Sequence, residues 1–261
     1  MAGQVAVIAV THWGIKGMLG FSLAMLLSVP LAVIMGYLVG QVMNRAKGRE
    51  MITSMVLGFF ANGIYQLVFL FLVGTVIPMK NRSLVLPDGV GIRNTVDLYG
   101  ISRALDNLWR INVAGIRIPM ATLLLVALLC IVLYYFMQTR LGQQMRAVGQ
   151  NMSIAAVAGI NVNRTRVIAM ILSTVLAAWG QLIFLQNIST LNTYNSHEQV
   201  GTFAIAALLV GGATARKASI WQALLGVLLF HMLFVVSPRA GQAIIGIPQI
   251  GEYFRVFVAY G

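Results

Sequence analysis

Long apolar runs separated by short polar stretches dominate this chain, and the polar stretches are mostly basic. Met18 to Met43, Met51 to Pro78, Ile118 to Gln138, Val167 to Gln186 and Ile220 to Val236 read as helices that cross a bilayer, for which about 20 apolar residues are needed. In the first of these, Gly36 and Gly40 stand four apart, the spacing that lets a second helix approach closely, and Pro30 predicts a mid-span kink. In the second, Asn62, Tyr65 and Gln66 fall on one helical face. Polar side chains at membrane depth must be paired or face a wet interior. Asn62, Tyr65 and Gln66 therefore line a solute pathway or tie helices together, and Trp179 and Gln181 in a later span offer the same choice. Phe203 to Gly212 is apolar but too short to cross, which predicts a half-helix broken at Gly211 and Gly212 beside a cavity.

Between the spans, Lys80 to Arg117 mixes both charge signs and suits the outer side, and helical spacing over Val96 to Trp109 predicts a short amphipathic helix at the interface. Pro238 and Pro248 predict an outer loop, and FRVFVAYG at the end looks like the start of an incomplete span. Thr139 to Val167 is different in kind. It carries Arg140, Arg146, Arg164 and Arg166 and no acid, so it faces the cytoplasm by the positive-inside rule, as does the loop of residues 44–50. Its centre, Ser153, Ile154, Ala155, Ala156, Val157, Ala158, Gly159 and Ile160, is small and apolar. That composition predicts a short helix offered to a partner protein.

Composition agrees with the pattern: 59% of the 261 residues are hydrophobic and only 9% charged, against about 25% charged in soluble domains. The fold class is therefore all-α, a polytopic membrane bundle of one domain over residues 1–261. A net charge of +12 would suit nucleic acid, but the basic residues are spread a few per loop, which topology explains. Cys130 is alone, and His12, His197 and His231 are far apart without carboxylates at ligand spacing, so neither a disulfide nor a metal site is expected. His231 inside a span is either functional or a neutral imidazole bonded to a neighbouring helix. The sequence has no phosphate loop, no HExxH and no GxSxG, and no mid-span carboxylate to relay protons. What remains is a bundle that passes a polar, uncharged solute with energy from a partner, or else an energy-independent facilitator or a scaffold.

Several stretches carry a family resemblance: LGQQMRAVGQN at 141–151, AAVAGINVNRTRV at 155–167, GGATARKASIWQALLG at 211–226 and KGREMITSMVLGFFANGIY at 47–65. They resemble the ribose and simple-sugar branch of ABC transporter permeases, a group that includes nucleoside and riboflavin permeases. The resemblance implies a multi-pass permease of the bacterial inner membrane that pairs with a second permease subunit. It also implies ABC ATPase subunits, which would hold ATP and Mg, and an extracytoplasmic solute-binding protein. No cofactor is expected in this chain. By the same resemblance, Ser153 to Ile160 match the coupling helix that docks on the ATPase, and Gly211 and Gly212 match the break after the half-helix. Arg216 and Lys217 make the following segment more basic than is usual in the family. Permeases of this kind have further spans before and after the matching region, so a chain truncated at both ends is expected. Trp179 and Phe184 could stack on a ring of the solute.

Overall fold

The computed structural model describes all residues except 80, 82, 114, 115, 215, 216, 248, 252 and 254–261. The chain divides into two compact units, Met1–His197 and Glu198–Gly261. Among the described residues five helices are long and apolar enough to cross a membrane, and this is a mostly helical, polytopic bundle.

The first unit begins with α1 (Ala2–His12), α2 (Gly17–Arg45) and α3 (Glu50–Leu67), which runs on into a π-helical turn at Val68–Leu72. Short strands follow: β1 (Thr95–Asp97), then β2 (Arg110–Val113) paired antiparallel with β3 (Ile116–Pro119). The span α4 (Met120–Gln138) leads to α5 (Arg140–Gln150), α6 (Met152–Val157) and the long α7 (Val162–Ile188). Strand β4 (Thr190–Asn192) closes a two-stranded ladder with β1.

Helix α7 packs along α2, and the two glycines of α2 are the reason it can. A Cβ at Gly36 would lie 2.7 Å from Ile171 Cα, and one at Gly40 would lie 3.0 Å from Val167 Cα. Helix α1 fits against the other end of α7, where a Cβ at Gly3 would meet the Ala178 carbonyl oxygen at 2.9 Å. Around these contacts, Val7 and Val10 of α1, Phe21 of α2, Phe69 beyond α3 and Leu182 of α7 form one core. Pro30 lies inside an unbroken α2. By contrast α4, apolar along its length, buries no residue within this chain.

The amphipathic helix expected over Val96 to Trp109 is not formed. Val96 instead pairs with Leu191 in the β1–β4 ladder, and the chain after it runs in turns, with Arg103 at a left-handed φ of 50°. Tertiary hydrogen bonds win over local periodicity here: Leu98 N–H donates to Ser189 O at 2.8 Å and Arg103 N–H to Gln186 O at 2.8 Å. Leu98, Ile101 and Leu105, the positions that mimicked one helical face, are buried under this cap rather than laid on lipid.

In the second unit, α8 (Ser196–Val210) begins in the polar loop, earlier than the apolar pattern suggested, and α9 (Ile220–Ile245) runs through Pro238. Pro238 is thus within a helix and not in an outer loop. Pro248, Arg216 and the FRVFVAYG segment lie outside the described residues.

Candidate functional site

Two places gather the residues singled out by the sequence, a polar cluster inside the first unit and a small helix, α6, at its basic end. Tyr65, 6% exposed, donates its hydroxyl to the Thr193 carbonyl at 2.9 Å and sets its ring 4.5 Å from Phe69 and 5.4 Å, edge-on, from His197. Gln181, equally buried, donates its side-chain amide to Ser196 Oγ at 3.1 Å. These two helices therefore clasp the same stretch, Thr193 to His197. Trp179 is elsewhere, with its indole N–H directed at the Met25 carbonyl of α2 at 3.4 Å. Asn62 and Gln66 are half-buried on the same side of α3 as Tyr65. In this conformation Tyr65, Trp179 and Gln181 all tie elements together.

Two further buried polar residues join this picture, Gln4, which the sequence reading did not single out, and His197. Gln4 in α1 is 0% exposed, and neither its amide oxygen nor its amide nitrogen has a hydrogen-bond partner among the described residues. A glutamine in an apolar helix was the signal for it. Both ring nitrogens of His197 are likewise buried without a hydrogen-bond partner among the described residues. Burial lowers the His197 pKa to about 4, so the ring is neutral at physiological pH. Because the unfolded chain takes up this proton near pH 6.5 and the folded one does not until about pH 4, its contribution to stability is complete above pH 6.5. It is lost progressively as pH falls from there towards 4. The thermal midpoint of the detergent-solubilised protein should fall over that window, and His197→Gln should flatten this part of the profile.

His231 in α9 donates from Nδ1 to the Val227 carbonyl at 2.9 Å, one turn back on its own helix. Among the described residues His231 makes no bond to a neighbouring helix. Gly211 and Gly212 end α8: Gly212 adopts φ 80°, and the Ala213 N–H returns to Leu208 O at 3.0 Å. Gly211 also has no room for a Cβ, which would run into the Gln222 carbonyl of α9. Gln222 in turn donates to Gly212 O at 2.8 Å, so the break is held from α9. Among the described residues no three His, Cys, Asp or Glu side chains gather to hold a metal.

At the basic end of the first unit, asparagines punctuate the chain. Asn151 Oδ1 caps α6 by accepting from Ser153 N–H at 3.0 Å and Ile154 N–H at 3.1 Å, and Asn161 Oδ1 caps α7 through Arg164 N–H at 3.1 Å. Gly159, at φ 82°, makes the turn between them. Of the expected stretch Ser153 to Ile160, only Ser153 to Val157 are helical, and the helix starts one residue earlier, at Met152. Ala155 anchors it to Val148 and Val162. Ile154 and Val157, at 67% and 91% exposure, point outward. Arg166 fixes the base of this assembly, pairing with Glu50 at 3.1 Å and donating to the Met43 carbonyl at 3.1 Å.

These features describe a multi-pass helical membrane protein with a buried polar cluster and a small capped helix at its basic end. A family model described as "Branched-chain amino acid transport system / permease component" matches residues 1–260. The chain belongs to that family of permeases, in keeping with a multi-pass protein of the inner membrane. It is similar to the nucleoside ABC transporter permease protein NupB of Lactococcus lactis subsp. cremoris, with 26% identity over 250 residues, covering 90% of this chain and 62% of the relative. The xylose transport system permease protein XylH of Haemophilus influenzae is 27% identical over 138 residues, 52% of this chain and 35% of the relative. The D-allose transport system permease protein AlsC of Escherichia coli is 28% identical over 201 residues, 74% and 55%. The chain thus spans between 35% and 62% of the length of these relatives. No solved structure matches it.

Proposed function

We propose that this chain is the membrane permease subunit of an ATP-driven, binding-protein-dependent importer for a small, neutral, polar solute, a simple sugar or a nucleoside. The observation that carries the reading is α6. A six-residue helix capped by Asn151, anchored by Ala155 and exposing Ile154 and Val157 has the form of a part built to enter an apolar groove of another protein. ABC ATPase subunits are that partner; they bind and hydrolyse ATP with Mg, while this chain catalyses nothing. A second permease subunit and an extracytoplasmic solute-binding protein complete the assembly.

For the solute, support comes from the interior. Gln4, Gln181 and the neutral His197 are polar without charge, which suits hydroxyls and amides. The relatives named for xylose, D-allose and nucleosides point to the same chemistry. Reconstitution of the permease with its ATPase and binding protein in vesicles tests the proposal. Uptake of sugar or nucleoside should require ATP hydrolysis, and uptake that persists without it would instead establish an energy-independent facilitator.

A further inference from the structure

A cavity of about 530 Å³ opens between the end of α2 and the start of α7 at the basic face of the first unit. Arg45 and Arg164 stand on its two sides. Neither makes an ion pair among the described residues, where Arg166–Glu50 is the one salt bridge. Gln41, Asn161 and Asn163 add side-chain amide nitrogens that donate to no protein group there, and no acidic residue lines the cavity. The charge and the free donors are those that an oxyanion needs.

The lower wall is apolar. Ile168 lies one turn beyond Arg164, and Tyr37 lies two turns before Arg45, about 12 Å deeper along α2 at the helical rise per residue. Tyr37 is 49% exposed. A ligand here meets two cations and several donors at the water boundary and apolar side chains below, an amphipathic demand that a free anion does not meet. We propose that this cavity binds the headgroup of an anionic phospholipid of the cytoplasmic leaflet, with an acyl chain running down past Tyr37 and Ile168. Such a lipid bridges α2 and α7 at the level where α6 is mounted, beyond the transport role itself.

The test is lipid retention by the purified full chain in native mass spectrometry, with phosphatidylglycerol against phosphatidylcholine of the same acyl composition. The wild type should prefer phosphatidylglycerol, and Arg45→Gln with Arg164→Gln should reduce the preference on the order of tenfold. Gln41→Lys, which adds a charge inside the cavity, should raise it. Lys47→Gln with Arg140→Gln, outside the cavity, should leave it unchanged; monodispersity in detergent confirms folding of each variant. Equal retention of the two lipids, or equal losses in the cavity and control variants, would overturn the assignment. So would displacement of the lipid by inorganic phosphate, which would mark a free-anion site. Unchanged lipid retention with lost ATPase co-purification in the cavity variant would show that the arginines dock a protein instead.

Discussion

Gly36→Leu should leave little folded protein. The Cβ alone would stand 2.7 Å from Ile171 Cα and 3.1 Å from the Met170 carbonyl oxygen, both backbone atoms that cannot step aside as a side chain can. Helices α2 and α7 would have to separate along the contact that organises the first unit. Overpacking a fitted interface costs about 1–3 kcal/mol even where side chains can adjust, and a total stability of about 5–15 kcal/mol leaves modest reserve. Gly36→Ala should lower the thermal midpoint and Gly36→Leu should collapse the monodisperse peak in size-exclusion chromatography. Gly58→Leu and Gly180→Leu, at positions where a Cβ meets nothing within 4 Å, should behave as wild type. Equal behaviour of Gly36→Leu and Gly58→Leu would show that α2 and α7 do not touch there.

Ala156→Arg should stop transport without unfolding the protein. Ala155 is buried against Val148 and Val162, whereas Ala156 and Val157 lie on the exposed side of α6. An arginine at Ala156 is solvated in the free subunit, but docking would force its charge into an apolar groove, at a cost of several kcal/mol. With 1.4 kcal/mol to each factor of ten, ATPase co-purification and ATP-dependent uptake should fall more than tenfold, with an unaltered thermal midpoint. Val157→Asp should do the same. Ala155→Arg should instead unfold the α5–α6 corner, and that contrast separates docking from folding. Co-purification undiminished in Ala156→Arg would remove α6 from the coupling interface.

Interior residues were harder to read than the surface helix. Asn62, Tyr65 and Gln66 share a face of α3 because three- and four-residue spacing decides that locally. What each side chain does depends on elements far away in sequence. Tyr65 is committed to Thr193, 128 positions on, and Gln181 to Ser196 at the start of α8. Gln4 was missed because a single polar residue in a short apolar helix has no partner pattern to reveal it, and it takes the surrounding bundle to leave its amide buried and unbonded. The same limit explains Val96 to Trp109. Helical periodicity there was real, but Leu98, Ile101 and Leu105 serve a cap held by β4 and the end of α7.

By itself the sequence determined the spans and the break at Gly211 and Gly212, because each rests on chemistry confined to a few neighbouring residues: apolar length against bilayer thickness, glycine against a helix end. Gly36 and Gly40 announced a close helix contact for the same reason. Tertiary structure alone decided that α7 is the helix that uses them, that Arg166 pairs with Glu50 while Arg45 and Arg164 line a cavity without an ion pair among the described residues, and that α6 turns Ala155 inward and Val157 out. Those outcomes depend on which surfaces meet across more than a hundred residues, where the burial of area and the pairing of charge are settled by the whole bundle rather than by any segment of it.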